Sequence, residues 1–398
     1  MPLLLVAAVL VSAPPALPAF TATGTGDEVP IGTIAAVSLS DGARIDTPNG
    51  PKDVRGLVSL RRTERPVPPL PGGAQLITAS GDRIPGAVSG GDAKVIQFRP
   101  ALADEDWAIA LDTVAAVWLG SAPADTPSDP AKYPWLTGSP PRDVLLYRNG
   151  DAVRGALGGF TESGVKFTPD GGAAREVSLT DLAAVGFNPR FARARKPKGP
   201  YAHLVLTDGT RLDATELGLK DDALVAKMAC GPLVAVPLSK VVALDVMQGP
   251  AVALSDLKPK KAEASGFLGD GWPWAADRTV RGRPLRLFTS AGETTADKGL
   301  GTHPKTVLTY DLGGKFTRFE ALVGLDAATG KRGRASVRIL LDGKEVDLPD
   351  LKALTAGPAV GVWADVRGAK ELTLVVDFGP TGDVQADVNW GYARLIRE

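Results

Sequence analysis

Residues 299–303 of this 398-residue chain read Gly-Leu-Gly-Thr-His, and two short segments follow at 310–312 (Tyr-Asp-Leu) and 323–326 (Val-Gly-Leu-Asp). They lie in a block, residues 262–398, in which short runs of alternating apolar residues are separated by glycine-containing turns. Such alternation is typical of β-strands with one buried face. About eight antiparallel strands without helical periodicity predict a two-sheet jelly-roll sandwich for this block.

Several residues of the block follow one another in an order that resembles a known family. They are Pro284-Leu285, residues 298–303, 310–312, Phe319, residues 323–326, Asp342-Gly343 and Trp390. As an ordered set they resemble the NPCBM/NEW2 family, and this resemblance implies a galactose-binding-like β-sandwich with a glycan ligand, a galactose-type sugar being the first candidate. The chain departs from the family after Trp390, where Gly391-Tyr392-Ala393 replaces the acidic residue that members often carry.

Sugar recognition needs an aromatic ring against the apolar face of a pyranose and polar groups that bond to its hydroxyls. The candidate residues for carbohydrate binding are Trp272, Trp274, Trp390, His303, Asp326, Asn389, Arg332 and Arg334. Each has a structural alternative. A tryptophan in a sandwich is more often a core residue, and this alternative is favoured for Trp363 and Trp390. Trp272 and Trp274 flank a proline in a loop, which leaves their role open.

Two of the polar candidates have particular alternatives. His303 precedes Pro304, so its imidazole can tie down the loop by bonding to backbone carbonyls rather than to a ligand. Asp326 precedes a turn and can either cap it or bind calcium through oxygen ligands. A structural calcium ion is therefore the one cofactor that the sequence leaves open.

The first 250 residues contain a repeated hairpin pattern. Alternating apolar residues stop at Ser80-Gly81, at Asn149-Gly150 and at Asp208-Gly209, and then resume with the same period. This is a strong hairpin signal, and the second and third pairs predict type I′ turns. Each copy then ends with a strand, a one-turn bend and a last strand. With a less regular first copy, four repeats are predicted at residues 20–65, 74–120, 143–188 and 201–250.

Units of about 45 residues bury too little surface as open sheets, so small SH3-like or Sm-like barrels are predicted. Proline-rich segments between the repeats are typical of linkers. The chain has 45 Lys and Arg and 45 Asp and Glu residues, and the repeat loops are acidic or neutral, which argues against a nucleic-acid partner. A spacing role or protein partners are expected for the repeats instead.

The N-terminus is apolar and uncharged from residue 3 to residue 11, and prolines and alanines follow. This pattern predicts a signal peptide at residues 1–19 and hence export to the periplasm or the extracellular space. The segment has no Lys or Arg, so a misassigned start or a buried strand remains an alternative. No other stretch is long and apolar enough to predict a membrane span.

The catalytic patterns expected of common enzymes are missing from the sequence. One cysteine, Cys230, and two histidines, His203 and His303, cannot build a disulfide or a Cys/His zinc site. Phosphate-binding loops, a Ser/His/Asp order and HExxH are absent, and no room remains for a glycosidase domain. The sequence predicts an exported, noncatalytic carbohydrate-binding protein with the repeats as a spacer or interaction stalk. The alternative is a structural or protein-interaction module of the cell envelope without sugar affinity.

Overall fold

The computed structural model describes residues 17–120, 133–195, 197–266 and 271–397. These residues form strands β1 to β34, and the helical segments among them are 3-10 turns of three residues. The predicted all-β fold class is therefore confirmed. The predicted signal peptide lies, up to residue 16, outside the described residues. None of the described helical segments is long and apolar enough to cross a bilayer.

Each of the four repeats has five antiparallel strands, of which the first four form a meander. Repeat 1 contains β1 (Phe20–Thr23), β2 (Ile31–Ser38), β3 (Gly42–Thr47), β4 (Gly50–Val54) and β5 (Ser59–Arg62). Repeat 2 contains β6 (Gln75–Thr78), β7 (Arg83–Gly91), β8 (Val95–Pro100), β9 (Trp107–Ala110) and β10 (Val114–Trp118). Repeat 3 contains β11 (Asp143–Tyr147), β12 (Ala152–Phe160), β13 (Gly164–Pro169), β14 (Arg175–Ser178) and β15 (Leu182–Gly186). Repeat 4 contains β16 (Tyr201–Leu206), β17 (Arg211–Lys220), β18 (Ala223–Met228), β19 (Leu233–Pro237) and β20 (Val241–Met247).

In every repeat the fifth strand pairs with the first, which bends the meander toward a small barrel. In repeats 2 to 4 the last strand is preceded by the expected one-turn bend, a 3-10 turn at Leu111–Thr113, Leu179–Asp181 and Leu238–Lys240. Because the fifth strand covers one edge of the first strand, fewer sheet edges are left unpaired. A sheet this small is not stable with open edges.

The repeats also pair with one another through their fifth strands. Strand β20 pairs with β5, so that Leu244 lies opposite Leu60, and β10 pairs with β15, so that Val117 lies opposite Val185. Repeat 4 is thereby joined to repeat 1, and repeat 2 to repeat 3. One cluster of buried apolar side chains contains members from all four repeats. Much of the stability of each repeat should therefore depend on its neighbours.

The turn type predicted for the repeated hairpins is wrong. The Gly150 amide donates to the Tyr147 carbonyl, and Gly150 has φ +93° while Asn149 does not have a positive φ. A type I′ turn needs positive φ at both central residues, whereas here the left-handed residue follows them, as in a three-residue loop with a glycine bulge. The hairpins at Gly81 (φ +103°) and Gly209 (φ +91°) have the same hydrogen bond.

We expect Gly150→Ala to lower the free energy of unfolding by about 1 kcal/mol, because an L side chain is strained at this positive φ. Gly218→Ala, within β17, is the matched control. A Cβ at either position would meet nothing within 4 Å, so crowding is excluded at both, and the φ of Gly218 is ordinary. The control should be neutral or slightly stabilising. Urea denaturation of the full chain measures both, and equal effects would contradict the assigned turn.

The C-terminal block is a sandwich of two antiparallel sheets. One sheet has the order β23 (Ala275–Ala276), β26 (Gly299–Thr302), β34 (Val388–Ile396), β28 (Arg318–Leu325) and β32 (Val360–Asp365), with β21 (Ala251–Ala253) also on β34. The other has the order β22 (Lys261–Ala264), β27 (Thr306–Asp311), β33 (Glu371–Phe378), β29 (Arg334–Leu341) and β30 (Lys344–Glu345), with β31 (Leu354–Thr355) on β29. A separate hairpin joins β24 (Leu285–Thr289) and β25 (Gly292–Ala296), and two further 3-10 turns lie at Leu254–Asp256 and Pro349–Leu351.

The sandwich begins before the predicted boundary at residue 262. Strand β21 pairs with the last strand of the chain, Ala251 lying opposite Ile396, and β22 begins at Lys261. The turn at Asp342-Gly343 has positive φ at both residues (+49° and +79°), the pattern of a two-residue type I′ hairpin. Facing side chains of the two sheets, including those of Phe319 and Leu374, form one core.

The sandwich contacts repeats 1 and 4 through charged side chains. The Arg318 side chain is 3% exposed, and its guanidinium donates to the Gly24 and Gly26 carbonyls of repeat 1 at 2.7 and 2.8 Å. Arg394 donates to the Ser59 hydroxyl at 3.1 Å. Because buried donors that lose their acceptors carry a large desolvation penalty, these contacts favour a fixed arrangement of the sandwich on the repeats.

Candidate functional site

The tryptophan loop that precedes β23 contains one exposed and one packed indole. Trp272 is 45% exposed, whereas Trp274 is partly buried and packs against the sandwich core. The loop passes very close to β22, because a Cβ on Gly271 would lie 2.4 Å from the Ser265 amide nitrogen. Glycine is therefore required at 271 for this path. Of the two candidates, only Trp272 offers substantial ring surface to a ligand.

Two side chains from other loops lie against Trp272. The guanidinium carbon of Arg281 is 5.1 Å from the centre of the Trp272 ring, a cation–π distance, and the His303 ring centre is 6.2 Å away. Arg281 Nε donates to Asp387 Oδ2 at 2.7 Å. Arg281 is thus held between the indole and a buried carboxylate, although its side chain is still 41% exposed.

Asp387 connects most of these groups, although it is not among the residues that the sequence pattern predicts for the site. Its side chain is fully buried, its Oδ1 is 3.7 Å from His303 Nε2, and its carbonyl accepts the Asp326 amide at 2.9 Å. The register of β28 and β34, with Gly324 opposite Asn389, places Asp326 opposite Asp387. An acidic residue three positions before the closing tryptophan was the available signal.

Asp326 and Asn389 are nearly completely buried, at 2% and 0% exposed. Asp326 Oδ1 accepts the Ala328 amide at 3.2 Å, so this carboxylate caps the turn that follows it. Burial raises the pKa of Asp326, the Ala328 amide opposes the shift, and the Asp387 carboxylate adds to it. Asn389 Nδ2 donates to the Arg286 carbonyl at 3.1 Å.

Three buried acceptor atoms at this end of the sandwich have no hydrogen-bond partner, namely Asp326 Oδ2, Asp387 Oδ1 and Asn389 Oδ1. Buried polar atoms are nearly always satisfied, so these oxygens are suited to accept from an ordered water or a ligand. Within the ranges that the structure describes, no three His, Cys, Asp or Glu side chains converge as a metal site. Calcium binding at Asp326 therefore stays a prediction.

His303 and Trp390 have structural contacts that explain their burial. His303 is 4% exposed, and its Nδ1 lies 2.7 Å from the Pro304 carbonyl, which is the loop-tying arrangement. Trp390 is fully buried in the sandwich core and donates from Nε1 to Thr302 Oγ1 at 3.1 Å. This burial removes Trp390 from the predicted stacking surface. A core position was favoured for Trp363 as well, but its side chain is 49% exposed on the edge strand β32.

Arg332 lies on the loop between β28 and β29, and Arg334 is the first residue of β29, at the same end of the sandwich. The Arg332 amide donates to Gln385 Oε1 at 3.0 Å, and a Cβ on Gly333 would lie 1.8 Å from the Gln385 carbonyl oxygen. The loop is therefore tied to residues next to Asp387. Arg332 is exposed, whereas Arg334 donates to the Gly333 carbonyl at 2.7 Å.

A cavity of about 310 Å³ lies elsewhere, where repeat 4 meets the sandwich. None of the predicted site residues lines it. Most of its charged side chains have ionic partners, since Lys298 pairs with Asp256 at 2.6 Å and Arg394 lies 3.6 Å from Asp245, whereas the Arg397 guanidinium lies 5.5 Å from the centre of the Phe316 ring. The cavity belongs to the junction between the two parts of the chain rather than to the Trp272 site.

Residues 251–396 match the family model of the NPCBM/NEW2 domain. This part of the chain is an NPCBM/NEW2 domain. Its matched range begins at the strand that opens the sandwich, β21. The domain belongs to a carbohydrate-binding family, so glycans are the partners that it implies.

Known proteins resemble this chain over limited parts. A protein of Renibacterium salmoninarum named "Putative endo-alpha-N-acetylgalactosaminidase" is 29% identical over 116 residues, which are 29% of this chain and 7% of that protein. This chain therefore spans only a small fraction of the relative. The CBM51 module of Clostridium perfringens GH95, solved with methyl-galactose, is 27% identical, with 36% of this chain and 99% of the module covered and a TM-score of 0.33. CBM51-2 with the INT domains of Clostridium perfringens ZmpB, solved with GlcNAc, is 22% identical, with 49% and 40% covered and a TM-score of 0.34.

Proposed function

We propose that the chain is an exported, noncatalytic carbohydrate-binding protein whose sugar site is the surface around Trp272 and Arg281. The observation that carries the proposal is the array in which an exposed indole lies against a guanidinium that a buried carboxylate, Asp387, holds in place. The indole supplies the apolar surface that the C–H face of a pyranose needs. A galactose-type terminal sugar is the first ligand to test.

Arg281 is suited to bond to sugar hydroxyls. Its Nε donates to Asp387 Oδ2, and its two Nη groups have no hydrogen-bond acceptor among the described residues. A guanidinium presents its donors in a fixed planar fork, which matches two neighbouring oxygens of a ligand. Because the bond to Asp387 already restricts the guanidinium, the Arg281 side chain loses less conformational entropy when a ligand binds.

The acidic groups of the site favour binding over catalysis. Glycoside hydrolysis uses two carboxyl groups placed on either side of the scissile bond. Here Asp387 is fully buried and engaged by Arg281, and Asp326 is buried and caps a turn. Neither is available to bracket a sugar that stacks on Trp272. Export rests on the leader-like sequence at residues 1–19.

The proposal predicts that Trp272→Ala weakens sugar binding by about tenfold or more, since the stacking surface is lost. A glycan array with the full chain, run with and without calcium, identifies the ligand, and calorimetric titration then gives the affinity. Trp363→Ala is the matched control, because this indole is equally exposed (49% against 45%) on a different edge.

The control should leave affinity unchanged, and both variants should unfold close to the wild-type temperature. Equal losses of affinity in the two variants would contradict the assigned site. A chain that is folded but binds nothing on the array would overturn the proposed function and favour the structural alternative.

A further inference from the structure

The loops around Trp272 carry many exposed cations. Within the described parts of loops 265–283, 303–305, 326–334 and 378–387, the exposed basic residues are Arg281, Arg283, Lys305, Lys331 and Arg332. Only Arg281 of these five forms an ion pair, the one with Asp387. The other four are charges without a counter-ion from the described residues.

These loops belong to one surface. The backbone amide of Lys305 donates to the Ser265 carbonyl, and the Ser265 amide donates to the Lys305 carbonyl, both at 3.0 Å. Ser265 in turn lies against Gly271, which precedes Trp272. Arg283 is held by Thr279, with its amide 3.2 Å from the Thr279 hydroxyl, in the turn that contains Arg281. Lys331 and Arg332 join the surface through the Gln385 contact described above. The loops that carry these cations therefore adjoin the loop that carries the proposed sugar site.

The acidic residues of the same loops do not offset these charges at the surface. Asp326 and Asp387 are buried, and Asp277 and Asp383 are half-buried. Asp277 is engaged by Lys298 at 3.0 Å. No acidic residue in the described part of these loops is exposed. The net charge of zero for the whole chain thus conceals a local excess of positive charge at this end of the sandwich.

We propose that the Trp272 site prefers a glycan with a negatively charged group, a carboxylate or a sulfate, over the corresponding neutral glycan. This inference rests on the proposed sugar site and narrows its ligand class. Unpaired surface cations within about 8 Å of a bound anion attract it at physiological salt, and the attraction weakens at higher salt. Several such cations together should give about tenfold tighter binding of the charged sugar at low salt.

The full chain is tested first on an array that contains neutral, uronate-bearing, sialylated and sulfated glycans. The best charged ligand and its neutral counterpart are then titrated at about 50 and 300 mM NaCl. Carboxylate-bearing and sulfated ligands are titrated separately, which shows which of the two anionic groups the site binds. We expect tighter binding of charged ligands, with an advantage that shrinks at the higher salt concentration.

The variant Lys305→Gln/Lys331→Gln should remove most of the advantage and leave the affinity for the neutral counterpart unchanged. Lys166→Gln/Lys220→Gln is the matched control, because both lysines are exposed, unpaired and located in repeats 3 and 4. Equal affinity for charged and neutral ligands would overturn the inference and leave the proposed function intact. If the control variant lost as much of the advantage, charged glycans would be attracted by the whole protein surface rather than by the Trp272 site, and the inference would again be overturned. Binding to no glycan would overturn the proposed function itself.

Discussion

Trp390→Ala should lower the free energy of unfolding by about 3–5 kcal/mol, the usual range for removing a buried tryptophan. The indole is fully buried in the sandwich core, and its loss leaves a cavity between the two sheets. It also leaves Thr302 Oγ1, which accepts from Nε1 at 3.1 Å, without this donor. Chemical denaturation of the full chain, followed by far-UV circular dichroism, measures the effect independently of tryptophan fluorescence.

Two further substitutions make this prediction specific. Trp390→Phe retains an aromatic ring but not the donor to Thr302, so a smaller loss of about 1–2 kcal/mol is expected. Trp272→Ala removes an exposed ring and should change stability by less than about 0.5 kcal/mol. If Trp390→Ala instead retained wild-type stability and lost only sugar affinity, Trp390 would be a binding residue and its assignment to the core would fail.

The strands and hairpins could be predicted because alternation with period two depends only on neighbouring residues. The turn type could not be predicted from Asn149-Gly150, since it depends on which carbonyl accepts the Gly150 amide. That carbonyl belongs to Tyr147, whereas a two-residue loop would close with the Asp151 amide donating to the Arg148 carbonyl. The same dipeptide pattern at Asp342-Gly343 does form the two-residue turn. Dipeptide composition therefore indicates a hairpin but not its loop length.

The candidate site was predicted in part. The structure places the candidates His303, Asp326 and Asn389 at one end of the sandwich, because each lies at or next to an end of adjacent strands, although the sequence did not predict that they meet. Arg281 and Asp387 were missed, since they are 106 residues apart and meet only through the folded loops. The core position favoured for both Trp390 and Trp363 is right for Trp390 and wrong for Trp363, because the sequence does not show which strand is an edge and which is central.

Asp297→Asn should lower the free energy of unfolding by about 2–4 kcal/mol at neutral pH, because it separates a charge cluster that joins the sandwich to repeat 4. Asp297 Oδ2 lies 3.0 Å from Arg211 Nε and 3.3 Å from His203 Nε2. His203 Nδ1 lies 2.7 Å from Asp213 Oδ1, and the Asp213 amide donates to Asp82 Oδ1 of repeat 2. The Arg211 side chain is only 3% exposed, so it cannot regain water without local opening.

The cluster also makes stability depend on pH. Burial opposes the charged form of His203, but its bonds to Asp213 and Asp297 outweigh burial and raise its pKa to about 10. A histidine in the unfolded chain has a pKa of about 6.5. Between about pH 6.5 and 10, His203 is therefore protonated in the folded state and neutral in the unfolded state. The stabilisation is therefore complete below about pH 6.5 and is lost as the pH rises toward 10. Burial raises the pKa of Asp82 to about 7, and the nearby Asp213 carboxylate adds to the shift. Because the folded state holds this proton more tightly than the unfolded state, stability also declines as the pH rises from about 4 to 7.

Asp297 contributes in the opposite direction. Burial disfavours its charge, but Arg211 and His203 hold the pKa of Asp297 well below its usual range. Its stabilisation is present above about pH 4 and is lost as the pH falls below that value. In Asp297→Asn the His203 ring keeps only Asp213 as a partner, so its pKa should fall toward the ordinary value. The decline in stability between pH 6.5 and 10 should then be smaller than in the wild type.

Denaturation midpoints of wild type and Asp297→Asn at about pH 5, 7 and 9 test this argument. Asp106→Asn is the control, because its bond to Arg99 at 2.7 Å is an exposed ion pair that should contribute little to stability. The control should keep the wild-type pH dependence with little change in stability. If Asp297→Asn showed the same slope with pH as the wild type, the His203 proton would not depend on the sandwich.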